Sequence, residues 1–238
     1  MALLGGELLV LNRKMKMVAL IVLLSTVVAM FFLWRDVAER SLGENAAYKA
    51  PMQVYSKAEK QMVRGRFEQA LKGYAEAEKM LRAIPGIDLS SDFYFAIVNN
   101  ALGTIHLRIG IYGDGGKEIK SRADLAANKN EILAGLGYFE KSIAAYRKWL
   151  NENRPNPETL AKLARSREGL AADKIELEPF ERYERALSVS LTNFGMAHRY
   201  LADYPLAEKA YLEALALWSE NDTAAANLES MRKTLSEN

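Results

Sequence analysis

"LTNFGMAHRYLADYPLAEKAYLEALAL", Leu191 to Leu217, carries the pattern that decides the architecture. Apolar or small residues recur at helical spacing up to a break at Ala202-Asp203, after which a second helix puts Ala207, Tyr211, Ala214 and Leu215 on one face. The stretch is a helix-turn-helix unit. It also holds His198, one of only two histidines in the chain, set among acids, bases and tyrosines. Its reading therefore decides between a chemical site and a packing device.

Leu191, Phe194 and Gly195 on the first helix, Tyr204 after the turn and Ala207, Tyr211 and Ala214 on the second resemble the tetratricopeptide repeat (TPR), a 34-residue helical hairpin. The same frame fits residues 51–84, with Ala58, the turn glycine Gly65, Phe67, Ala70, Tyr74 and Ala77. Between them "NNALGTIHLRIG" supplies Leu102, Gly103 and Gly110 as a turn glycine. Its partner helix comes late, in "GYFEKSIAAYRKWL", where Phe139, Ser142 and Tyr146 take the expected places and Trp149 occupies a normally small one. An insertion over about 112–138 splits this repeat, and solenoids accept insertions on their loop side. After Asp222, read as an N-cap, "TAAANLESMRKTL" is an amphipathic helix that closes the stack. In 156–187 the markers are poor: a helix starts near Pro157, and another has Pro179 in its first turn. The expected fold is thus all-α, a TPR-like solenoid over 51–238. Each hairpin has an apolar face that only a neighbouring hairpin can bury.

Ahead of it, "MVALIVLLSTVVAMFFLW", Met17 to Trp34, has no charge and would span about 27 Å as a helix, close to the thickness of bilayer hydrocarbon. Arg13, Lys14 and Lys16 precede it, as they would in a signal peptide. The run is longer than a signal core, however, and ends in Phe31, Phe32, Leu33 and Trp34 where cleavage needs small residues, so we read a retained single-pass anchor. Residues 1–16 form a short basic segment before the span and 35–50 a linker after it. Three bases also follow the span (Arg35, Arg40, Lys49), interleaved with acids. The tighter cluster before it places the N-terminus inside and the C-terminal part outside, which in a bacterium means an inner-membrane protein facing the periplasm. Translation from Met15 or Met17 stays open.

The chain has 32 Lys and Arg against 30 Asp and Glu; five bases and three acids fall in residues 1–40, leaving 27 of each sign. A neutral body gives no electrostatic footprint for nucleic acid, so no nucleic-acid partner is expected. Without cysteine there is no thiolate metal site and no cysteine nucleophile. "GIYGDGGKE", residues 110–118, lacks Walker A spacing and follows a helix, and so reads as a turn opening the insertion. Glu76 and Glu78 fall on solvated helix faces.

His106 and His198 take the same place in their repeats, where the family has a large packing residue, and no third histidine accompanies them. They are expected to be structural, with no catalytic, metal or cofactor site and no small-molecule substrate. The resemblance implies instead a groove lined by first-helix residues: Tyr55, Glu59 and Met62; Asn100, Thr104, Leu107 and Arg108; and Thr192, Met196, Arg199 and Tyr200. The function it implies is a non-catalytic scaffold or adaptor that holds other proteins, within a membrane-associated complex, at the membrane surface. An accessory subunit of a larger membrane complex and, in a different class, an enzyme using His106 and His198 are the alternatives.

Overall fold

In the computed structural model residues 46–113, 128–153 and 173–236 are described, and residues 47–238 fall in one compact unit. After a 3-10 turn at Ala46–Tyr48 come α1 (Lys49–Val63), α2 (Phe67–Arg82), α3 (Phe93–Tyr112), α4 (Lys129–Glu152), α5 (Asp173–Tyr200), α6 (Tyr204–Leu217) and α7 (Asp222–Ser236). Among the described residues there is no strand. The protein is all-α. The segments 1–16 and 17–34, residues 35–45 of the expected linker, and the helix expected near Pro157 lie outside the described residues, while residues 46–50, also expected as linker, already belong to the 3-10 turn and α1. No helix within the described residues is long and apolar enough to cross a membrane.

Local chemistry sets the ends of these helices. Gly65 turns α1 into α2 at a φ of +70°, which costs glycine nothing. The matching turn between α5 and α6 puts Ala202 at +63°. Asp92 caps α3, its Oδ1 accepting from the Phe95 amide at 2.6 Å. Asp203 caps α6 with Pro205 in the first turn. Asp222, expected to cap α7, is its first helical residue; the cap is Asn221, whose Oδ1 accepts from the Ala224 amide at 3.0 Å.

α1 pairs with α2, α3 with α4 and α5 with α6, each as an antiparallel hairpin, and α2, α4 and α6 then pack on the helix that follows. The first helices touch in succession: Tyr48, which leads into α1, meets Tyr94 of α3, Asn100 of α3 meets Asn193 of α5, and Arg199 of α5 meets Ser230 of α7. They run parallel in one layer, with α2, α4 and α6 in the other. α7 therefore stands where a fourth hairpin would place its first helix.

The second hairpin corrects the register expected from the sequence. A Cβ on Gly195 would lie 2.7 Å from the Tyr211 ring, and one on Gly103 would lie 2.6 Å from the Phe139 ring and 3.0 Å from the Gly135 carbonyl oxygen. Gly103 stands to Phe139 as Gly195 stands to Tyr211. Gly135, Phe139 and Ser142 thus hold the places of Ala207, Tyr211 and Ala214, seven residues ahead of the expected Ser142, Tyr146 and Trp149. α4 accordingly begins at Lys129, so 129–138 belong to a helix packed on α3 rather than to an insertion. Gly110 is not a turn residue. It lies inside α3, where a Cβ would meet Ile132 at 2.5 Å, and α3 ends at Gly113. α5 likewise starts at Asp173 and carries Pro179 within it, so the missing N–H falls inside the helix and not at its first turn.

Trp149 has no small slot to fill. Its ring stacks on Tyr183 with centroids 3.7 Å apart, beside Phe93 and Tyr146, so large rings join α3, α4 and α5 at this end. Tyr74, Tyr146, Tyr211 and Phe139 are fully buried. Burial is the main force holding the phenols of Tyr48, Tyr55, Tyr74, Tyr146, Tyr183 and Tyr211 protonated above their usual range, Tyr211 being pushed up to about 12. A pKa raised by folding contributes stability in full below the unfolded value near 10, and loses it as pH rises through the folded value. For Tyr211 that contribution is about 3 kcal/mol. Between pH 10 and 12 helical ellipticity should therefore collapse together with the tyrosinate absorbance rise. A smooth phenol titration near pH 10 with the helices intact would contradict this packing.

Candidate interaction face

Both histidines tie the first helix of their hairpin to the start of the second. The His106 ring stacks on Tyr138, and its Nδ1 lies 2.8 Å from Glu131 Oε2 in the first turn of α4. His198 is buried against the edge of Phe194, with Nδ1 3.2 Å from Oδ2 of Asp203, the α6 cap. In the first hairpin Gln61 holds the same position, and its Oε1 accepts from Arg66 Nη1 at 3.4 Å. In each hairpin this side chain bridges first helix to second. Among the described residues no three His, Asp or Glu side chains gather as metal ligands. Glu76 is exposed, and Glu78 accepts from Arg82 at 2.7 Å; residues 114–118 of the glycine-rich stretch lie outside the described residues.

The residues expected to line a groove divide into two groups. Leu107 and Thr192 are buried, at 3% and 2% exposure, and do not line a surface. Leu107 turns into the core beneath α4, while the Thr192 hydroxyl donates to the Ser188 carbonyl oxygen at 2.8 Å and accepts from Asn221 Nδ2 at 3.0 Å. Asn100, Thr104, Met196, Arg199 and Tyr200 are exposed or half-buried in the layer of α3 and α5, as is Arg108. Tyr55, Glu59 and Met62 stand at the same level on α1. The Tyr55 hydroxyl donates to Glu59 at 3.1 Å, and Met62 sulfur accepts from the Tyr74 hydroxyl at 3.3 Å.

Electrostatics ties these stations together. The carboxylate of Glu59 adds to burial in raising the Tyr74 phenol, and the guanidinium of Arg108 opposes it, so α1, α2 and α3 converge there. Asn193, absent from the expected set, joins α5 to α3. Its Nδ2 donates to Asn100 Oδ1 at 3.1 Å and Thr104 Oγ1 at 3.3 Å. Val63 and Val189, 89% and 40% exposed, also fall on this layer without having been expected. The signal for Val189 was present, since it stands seven residues before Met196 and so shares its helix face.

The opposite layer carries a cavity of about 350 Å³ between α4 and α6, floored by Leu191 and Phe194 and flanked by Ile143, Leu206 and Ala210. Arg147 and Glu213 form an ion pair at its edge, 2.5 Å apart. These features define an all-helical protein of stacked antiparallel hairpins. No protein-family model matches the chain, and neither curated proteins nor solved structures give a match.

Proposed function

We propose that the chain is a membrane-anchored, TPR-like solenoid that holds other proteins on the layer formed by α1, α3, α5 and α7, without catalysis of its own. One observation supports it most: at the same place in three successive hairpins a small residue faces the second helix, so the first helices align in parallel. Such alignment presents side chains from separate repeats to one ligand. Residues 17–34 are the anchor and the N-terminus lies inside, so that the solenoid works outside the cytoplasm. Separate acids paired with His106 and His198 favour structural histidines over an enzyme.

Affinity purification from gently solubilised membranes, set beside a chain lacking residues 1–40, tests this reading. Partners should co-purify with the full chain. Substituting both Arg108→Glu and Arg199→Glu should remove most of them while helical content stays unchanged. Retention of every partner by that double variant would sink the reading.

A further inference from the structure

The level of Arg108 on α3, Arg199 on α5 and Lys233 on α7 is basic on the layer of first helices. The sequence frame relating the hairpins sets Leu107 and Arg108 on α3 level with Arg199 and Tyr200 on α5 and with Lys233 and Thr234 on α7. The contact of Arg199 Nη2 with Ser230 Oγ, 3.1 Å, fixes this level, because Ser230 lies one turn before Lys233 on the same face. Arg108 is exposed and makes no hydrogen bond or ion pair among the described residues. A cation in a helix's last turn offsets its dipole, which would account for Arg199 and Lys233. Arg108 stands outside the last turn of α3 and needs another account. On α1 the same level is apolar, with Met62 and the 89% exposed Val63, and one turn earlier stands Glu59. Beside the basic row, one turn before Arg199, stands the partly exposed Met196; Ile97 and Val189 lie about 15 Å further along the same helices.

We propose that this row binds an extended acidic segment of a partner protein, with carboxylates spaced three residues apart seated on Arg108 and Arg199 and an apolar end directed to Val63. Neighbouring helix axes lie about 8–10 Å apart, and three extended residues cover about 10 Å, so side chains at that spacing meet successive helices. A guanidinium takes a carboxylate with two parallel N–H bonds, a geometry that a lysine does not offer. The intervening residues of the segment cover Met196, one turn before Arg199. This rests on the layer being the binding face, as proposed above.

The test uses the full chain in detergent and a fluorescein-labelled 12-residue peptide of Asp-Thr-Val repeats, with a Lys-Thr-Val peptide as its counterpart, read by fluorescence anisotropy. The acidic peptide should bind, weaken about tenfold with Arg108→Glu or with Arg199→Glu, and weaken as salt rises. The double variant should release it and take up the lysine peptide instead, a gain that misfolding cannot produce. Indifference of the acidic peptide to both substitutions overturns the proposal. So does a response confined to phosphatidylglycerol vesicles or duplex DNA run in parallel. Thr104→Trp, which obstructs the layer without changing charge, separates the two readings. If the acidic peptide fails while Thr104→Trp still strips co-purifying proteins, only the acidic segment is wrong; if Thr104→Trp strips nothing, the binding face is wrong as well.

Discussion

Gly103→Leu should destabilise the protein by about 3 kcal/mol or more, since inserted atoms in a packed contact force the neighbours apart. The melting temperature should then fall by about 10 °C. Even the first added carbon falls 2.6 Å from the Phe139 ring and 3.0 Å from the Gly135 carbonyl oxygen, and the second of these is backbone that cannot rotate away. The partner that relieves the strain identifies the register. Combined with Phe139→Ala, which empties the space opposite, Gly103→Leu should cost markedly less than the sum of the two single changes. Combined with Tyr146→Ala, the costs should add. Relief by Tyr146→Ala instead would restore the register expected from the sequence and displace α4 by two turns.

The second large effect is expected at Asn221, which is 4% exposed and holds α7 through both ends of one amide. Its Nδ2 donates to Ser188 Oγ at 2.8 Å and Thr192 Oγ1 at 3.0 Å, while Oδ1 accepts from the Ala224 amide. Asn221→Leu removes a helix cap and two buried hydrogen bonds, a loss of about 3 kcal/mol. The two hydroxyls keep acceptors of their own in the carbonyl oxygens of Ala214 and Ser188, so the damage should concentrate on α7. Amide exchange should show α7 opening well before α5 and α6. Equal protection of all three helices after the substitution would mean that the apolar contacts of Ala224, Leu228 and Met231 suffice to hold it.

The first and third hairpins were legible because short turns fix the pairing of their helices, so small and aromatic residues could be read directly against each other. In the second hairpin the long connection removes that constraint. Gly135, Phe139 and Ser142 have the spacing of Ser142, Tyr146 and Trp149, and a seven-residue shift returns to nearly the same helix face. Trp149 in a small slot was the one visible symptom. The polar latch at Asn221 was hidden for a related reason: Ser188, Thr192 and Asn221 are ordinary surface residues by type and meet only through the stacking of α5, α6 and α7. Of the face residues, Leu107 and Thr192 were misplaced because first-helix positions that are open in one repeat are covered by α4 or α7 in another. Asn193 escaped notice because its role depends on Asn100, nearly a hundred residues away.

The position of α7 has a further meaning. Stacked hairpins have no intrinsic length, since the side each presents is the side that the next one covers. α7 stands where the first helix of a further hairpin would, and its far side is mostly polar or alanine, so it covers the third hairpin without presenting another apolar side. Inserting a second copy of 188–221 ahead of α7 should therefore yield a longer protein instead of a broken one, and the ligand length that the layer can hold would grow with the number of hairpins.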